Sequence, residues 1–364
     1  MRVLSLAARD WRNIEELRLD CGGDFVVIHG DNGQGKTNIL EAVWMLATLR
    51  SFREHSPGRM IRHGAESATL RAEVSGTSGR RVMTWSRIGR KRRLEVDESS
   101  PSRLEDWFSL LRAILFCPAD GEIIRGQPAL RRRVVDRAAF TANPVHLSLI
   151  RDFQRVIRQK SSLLKEPRVD LDQLDIWDQE LIELGARVAL RRSQIIEELR
   201  QPFAEMHARI AGHDRVSIRM RSVRDESHDL DETRARIRSE IERHRRDEIR
   251  RQQVLVGPQR DDLIFELDGR SARNFASQGQ VRSVVLAFKL AELQAAKLRG
   301  DQPLFLLDDL TSELDRSRMT RLIGVLGELD SQVWMTTTDP NWLGPLPGDR
   351  TASIKVRQGM VISA

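Results

Sequence analysis

The segment Gly30-Asp31-Asn32-Gly33-Gln34-Gly35-Lys36-Thr37 constrains this chain more than any other. A glycine, four residues and then Gly-Lys-Thr is the spacing of a phosphate-binding loop. Glycines let the backbone wrap close to an anion, so that successive N–H groups donate to its oxygens. Such a loop joins a buried strand to a helix whose N-terminus turns its positive end to the same anion. Both flanks have that character: Phe25-Val26-Val27-Ile28 is a short apolar run, and Asn38 to Leu46 has helical spacing. In this arrangement Lys36 reaches the β- and γ-phosphates and Thr37 ligates Mg2+. ATP and Mg2+ are the expected cofactors, and Gly30 through Thr37 the expected binding loop.

The rest of the chain alternates strands with helices, which implies a largely parallel α/β sheet. Alternating segments from Ala68 to Val96 read as a hairpin or meander that turns at Gly76 to Gly79. After Asn143-Pro144 the sequence becomes dense in Arg, Glu, Leu and Ile until about Arg251. Leu181, Leu184, Val188, Ile195, Leu199, Phe203 and Met206 recur there at helical intervals, suggesting an inserted antiparallel helix pair. Pro202 and Gly212 argue against one unbroken helix. Strand character returns at Leu263 to Leu267 and Ser271 to Phe275, followed by a helix from Gln280 to Leu298 and strands at Pro303 to Asp308 and Gln332 to Thr336.

Composition narrows the function classes. The chain has 364 residues, enough for one elaborated domain or two lobes, and its net charge of +7 favours a polyanion as partner. Cys21 and Cys117 are its 2 cysteines, too few for a disulfide framework or a four-ligand zinc site. The charged first twenty residues lack an apolar signal core, and no apolar run approaches membrane-spanning length, so a cytoplasmic location without membrane contact is expected.

Three further motifs belong with the loop. Asp308-Asp309 closes an apolar strand. A nucleotide site needs a carboxylate there, so Asp308 is the expected second Mg2+ residue and Asp309 the group that orients attacking water. Ser277-Gln278-Gly279-Gln280 opens a helix, where backbone N–H groups and a hydroxyl can hold an anion, although a simple helix cap accounts for the same residues. Thr311 to Asp315 and Thr336 to Asp339 are polar segments at strand ends, where α/β sheets bind ligands.

In this order the motifs resemble the ABC-type ATPases of the SMC class. Gly33 to Ala42, Ser51-Phe52-Arg53, Phe116-Cys117-Pro118, Val256 to Leu263 and Ala276 to Gln280 together resemble the RecF family of bacterial recombination mediators, over essentially the whole chain. The resemblance implies an α/β fold: an ABC-type P-loop ATPase head with a mixed or parallel sheet and an inserted, mainly helical lobe. Residues 1–143 would form the N-terminal part of the head, 144–251 the helical arm, and 252–364 the C-terminal part with the signature, Walker B strand and D-loop. It implies ATP sites shared between two protomers. Gly30, Asp31, Asn32, Gly33, Gln34, Gly35, Lys36, Thr37 and Asp308 of one chain would face Ser277, Gln278, Gly279, Gln280 and Asp315 of the other. Lys36, Asp308 and Asp309 would carry the catalysis.

The same resemblance implies single-stranded and gapped or double-stranded junction DNA as a partner, an ATP-dependent homodimer, and work with RecO and RecR in loading RecA. Gap repair, replication restart and SOS induction are the implied roles, with a weak DNA-stimulated ATPase. Two departures stand out. Gln259 occupies a position where the family commonly has histidine, and Cys117 one where serine is expected. Thr336 to Thr338 stand where ABC enzymes usually place a histidine, which is the RecF pattern. Asp309 is one methylene shorter than the usual glutamate, which implies slow turnover; whether it or Glu313 positions water is open. Arg131 to Arg133 and the arginine-rich insertion are the expected DNA contacts. The rival readings are the ATPase subunit of an ABC transporter and a non-hydrolysing ATP-bound scaffold.

Overall fold

The computed structural model of the chain describes residues 1–54, 56–77, 79–212, 214–221, 229–310, 314–346 and 351–363. In chain order its elements are β1 (Arg2–Trp11), β2 (Ile14–Asp20), β3 (Phe25–His29), α1 (Lys36–Thr48), β4 (Ser67–Gly76), β5 (Gly79–Ile88), β6 (Lys91–Val96), α2 (Leu104–Leu110) and β7 (Ala113–Phe116). There follow α3 (Glu122–Arg125), α4 (Pro128–Ala142), α5 (His146–Leu163), α6 (Leu171–Ala211), β8 (Val216–Arg221), α7 (Leu230–Arg251), β9 (Asp262–Leu267), β10 (Arg270–Ser271) and α8 (Ala272–Phe275). The last are α9 (Gln278–Leu298), β11 (Leu304–Leu307), α10 (Arg316–Glu328), β12 (Val333–Thr337), β13 (Thr351–Arg357) and β14 (Met360–Ser363).

The chain forms two compact units. One comprises Met1–Gly121, Met206–His213 and Gln278–Ala364; the other, Glu122–Glu205 and Asp214–Ser277. Boundaries at 143 and 251, where composition changes, fall inside the second unit, because α3, α4 and β9 belong with the helices.

In the first unit a six-stranded sheet runs β14-β13-β3-β12-β11-β7. β13, β3, β12, β11 and β7 are parallel neighbours, and β14 turns back antiparallel on β13. Central parallel strands are covered on both faces, which is why β3, β11 and β12 read as near-continuous apolar runs. A five-stranded antiparallel sheet, β2-β1-β4-β5-β6, belongs to the same unit. Helix α1 is apolar all round; Ile39, Leu40, Val43, Trp44 and Leu46 are wholly buried. Each such side chain contributes about 1.5–3 kcal/mol. The only charge in its middle, Glu41, is buried and receives Arg12 through bonds of 2.8 and 2.6 Å. Cys21 and Cys117 are buried free thiols, pushed up to about 12 by burial.

The second unit is helical around Phe153, Leu174, Leu181, Val188 and Ile241, with a three-stranded antiparallel sheet β10-β9-β8. The expectation of a helix pair is corrected: α5, α6, α7 and strand β8 fill that region. Helix α6 also runs through Pro202 without a break. Losing a helical hydrogen bond there costs about 3 kcal/mol. Tertiary packing offsets it: Leu199 and Phe203 are buried, and Phe203 meets Phe265 edge-on with centroids 6.0 Å apart. Gly212, at φ +98°, follows the last helical residue and stops the helix, as expected of a glycine in that conformation. Ser271 to Phe275, expected as a strand, gives only Ser271 to the two-residue strand β10 and is otherwise the single helical turn α8.

Candidate nucleotide site

The loop from Gly30 to Gly35 leaves the end of β3 and enters α1. Two glycines are sterically required. Gly30, at φ +146°, would drive a Cβ into the Val356 carbonyl oxygen. Gly35, at φ +111°, caps α1, and a Cβ there would sit 3.0 Å from Asn13 Oδ1. The loop's crown is tethered to the β13–β14 turn: Gln358 N–H donates to Gln34 Oε1 at 2.6 Å and Gly359 N–H to the Gln34 carbonyl at 2.8 Å. Asp31, Asn32 and Gly33 are exposed at its tip.

Lys36 is mostly buried and points back into the loop. Its Nζ donates to the carbonyls of Gly30 at 2.6 Å and Asp31 at 2.8 Å. Burial lowers its pKa, while Asp309, Asp308 and Asp31 pull the other way. Register then assembles the acids. Thr336 lies beside Ile28 and Leu307 beside Met335, so the C-terminal ends of β3, β12 and β11 line up. Thr37 Oγ1 donates to Asp308 Oδ1 at 2.8 Å, and Thr336 Oγ1 donates to the same oxygen at 2.8 Å. Thr336 also accepts from the Asp309 N–H at 2.8 Å, fixing that residue in the left-handed region at φ +53°. Burial raises the pKa of Asp308, and the two threonine bonds oppose the rise.

The structure therefore brings Lys36, Thr37, Asp308 and Asp309 together, with Thr336 as the residue that sequence reading left without a role. Its signals were a polar side chain at the end of an apolar strand and its place where ABC enzymes usually have a histidine. Asn13 was missed as well; its Oδ1 accepts from Asn38 Nδ2 at 2.7 Å beside the loop. Glu313 lies outside the described residues.

The signature segment stands apart in character. Ser277 and Gln278 are exposed, and α9 begins at Gln278. A Cβ on Gly279 would lie 3.4 Å from Arg318 Nη1, and Arg318 Nε is 3.5 Å from Asp315 Oδ2. Asp315 is exposed and caps α10, accepting from the Arg318 N–H, the bond that chiefly lowers its pKa. Gly279, Arg318 and Asp315 thus share one stretch of surface.

Two expected DNA contacts are corrected. Arg131 is buried and forms a two-pronged ion pair with Asp262 at 2.6 and 3.0 Å. Arg192, in the insertion, is buried against Asp136 and Asp261. The Gly257-to-Asp262 segment thereby supplies the carboxylates that hold α4 and α6. Gln259 donates to the Val256 carbonyl at 2.6 Å, a local bond within that turn.

A family profile described as "RecF/RecN/SMC N terminal domain" matches residues 2–362. The "DNA replication and repair protein RecF" of Geobacter sulfurreducens is 35% identical over 367 residues, 99% of each chain. Its counterpart from Citrifermentans bemidjiense is 34% identical over 342 residues, 93% of each. A solved structure of the recombination mediator protein RecF-ATP in the RecFOR pathway superposes with a TM-score of 0.88 at 25% identity, covering 100% of this chain and 99% of that one. An Smc head bound to the C-winged helix domain of ScpA shares the fold, with a TM-score of 0.61 at 13% identity. No helix among the described residues is long and apolar enough to cross a membrane. From its first strand to its last, the chain belongs to the RecF family.

Proposed function

We propose that this chain is an ATP-controlled DNA-binding protein of recombinational repair in the cytoplasm, acting with RecO and RecR in the loading of RecA. The observation that carries the reading is the convergence of Lys36, Thr37 and Asp308 at the ends of adjoining parallel strands, in a fold matched along its length by RecF-ATP. That full-length likeness favours it over a transporter subunit. The residues fit the nucleotide. Lys36 Nζ now rests on two neutral carbonyls, and a charged phosphate oxygen is the stronger acceptor. Gly30 and Gly35 let the loop take positive-φ turns while packed against Val356 and Asn13, a backbone form whose N–H groups can donate to phosphate. Among the described residues no group of three His, Cys, Asp or Glu side chains could hold a metal. Thr37 and Asp308, whose side chains meet at 2.8 Å, would hold Mg2+ together with phosphate oxygens.

Mg2+ supplies charge neutralisation for phosphoryl transfer when bound. Thr37 would offer its hydroxyl oxygen and Asp308 its carboxylate to the ion, while Thr336 keeps donating to Asp308 Oδ1. Asp309, held by its N–H on Thr336, orients water with a carboxylate one methylene short of a glutamate, which makes hydrolysis slow. The exposed Ser277, Gln278 and Asp315 would complete the site in a second copy. Sizing the protein with and without ATP and gapped DNA tests the whole reading. The expected result is a dimer only with ATP, stabilised by DNA; a monomer–dimer balance indifferent to ATP would overturn it.

A further inference from the structure

We infer that the β5–β6 hairpin carries a contact for the phosphate backbone of duplex DNA, centred on the opposed arginines Arg87 and Arg92 and extended by Arg90 and Lys91 at the turn. The inference rests on the DNA-binding reading above and names a surface for it.

The two strands pair antiparallel with Met83 opposite Val96, Trp85 opposite Leu94 and Arg87 opposite Arg92. Residues directly opposite share a face and stand close enough to interact. Met83, Trp85 and Val96 turn this face into the core. The next rung along the same face is not apolar: it sets the half-buried Arg87 opposite the exposed Arg92. Like charges directly opposite destabilise a sheet. Arg87 is half-buried, and its Nε is shielded from solvent without a hydrogen-bond partner. Among the described residues its guanidinium donates only to the Arg90 carbonyl, at 3.5 Å. Burial lowers the pKa of Arg92, and the charge of Arg87 lowers it further.

Several other arginines do have carboxylate partners. On the neighbouring positions Arg80 pairs with Glu73, Arg81 with Asp97 and Arg93 with Glu95. In the helical unit Arg131, Arg192, Arg234 and Arg245 are each bound to carboxylates. No ion pair joins Arg87, Arg90, Lys91 or Arg92 to a carboxylate among the described residues. An external anion would supply what this pair lacks, and a guanidinium fork matches phosphate oxygens. The shape argues for a polymer of phosphates over a single one. Strand β6 is the open edge of its sheet, and Arg90 and Lys91 are exposed along the turn. Ile88, 66% exposed between them and Arg87, offers an apolar surface of the kind a sugar edge can cover. Charges on an edge strand also discourage edge-to-edge pairing of sheets. Lys91 and Arg93 meet that need without two arginines facing each other.

The test measures binding of the full-length protein, with ATP, to plain duplex DNA over a range of salt concentrations. R87Q/R92Q is expected to bind more weakly at every salt concentration, with a salt slope smaller by about 2. Its ATP affinity should be unchanged, and its thermal midpoint unchanged or higher, since a repulsion is relieved. Unaltered DNA affinity and slope would overturn the inference, as would self-association without loss of DNA binding, or loss only of binding to anionic phosphatidylserine vesicles. If R87Q/R92Q does not fold, R90Q/K91Q at the exposed turn gives the same reading with a slope change of about 2. Wild-type protein that ignores DNA altogether would remove the proposed function and this surface with it; wild-type binding with insensitive variants removes this surface alone.

Discussion

The Thr37 hydroxyl donates to Asp308 Oδ1 at 2.8 Å, joining the first turn of α1 to the end of β11. Thr336 donates to the same oxygen, so the carboxylate is held on two sides before any ligand arrives. Buried carboxylates of this kind are kept for function at some cost in stability, and that cost can be measured.

Asp308→Asn should stabilise the nucleotide-free protein while weakening Mg2+-dependent nucleotide binding. Burial raises the Asp308 pKa, so the folded state holds more protons than the unfolded one between the ordinary carboxylate range and the raised value. The stability contributed by this group is therefore present at low pH and lost as pH rises through that window. The variant should melt about 2 °C higher at neutral pH and lack that part of the pH slope. Identical melting curves for both proteins across about pH 4 to 7 would contradict the assignment.

Lys36→Ala should cut ATP affinity by roughly tenfold to a hundredfold, the worth of a charge-assisted hydrogen bond. Fluorescent-nucleotide titration measures it. Full ATPase activity in this variant would remove the loop from the mechanism.

Thr336→Val keeps shape but removes the donor to Asp308 and the acceptor for the Asp309 N–H. Leaving that N–H unsatisfied costs about 1–3 kcal/mol. Hydrolysis is expected to fall well below wild type while ATP binding persists, and Thr336→Ser should restore turnover because it restores the hydroxyl. Equal turnover in the valine and serine variants would show that the hydroxyl has no positioning role.

Arg131→Met should destabilise the helical unit by about 3–5 kcal/mol, because the buried Asp262 loses its two-pronged partner and keeps a single 3.4 Å contact to the exposed Arg221. R131M/D262L should recover much of the loss, since both charges go together. Chemical denaturation of the two variants decides; a mild single variant with a large loss of DNA affinity would restore Arg131 as a DNA contact.

The sequence made the loop, its strand and its helix legible because phosphate chemistry and burial pattern coincide within one stretch from Phe25 to Leu46. The two-acid strand was legible for the same reason. What local pattern does not carry is register. Thr336 acquires its role only because β12 lies between β3 and β11. Arg131 reads as a basic surface residue until Asp262, distant in sequence, is placed against it. Pro202 reads as a helix breaker until Phe203 packs on Phe265. Ser271 to Phe275 is too short for periodicity to separate a strand from one helical turn.

The place of β3 in its sheet also bears on how the protein folds. The strands on either side of it are Val333–Thr337 and Thr351–Arg357, and the crown of its loop is tied to Gln358 and Gly359. Both partners lie far from the loop along the chain, so the support of the nucleotide loop rests on long-range pairing. Contacts of that kind are the slow ones to form in folding.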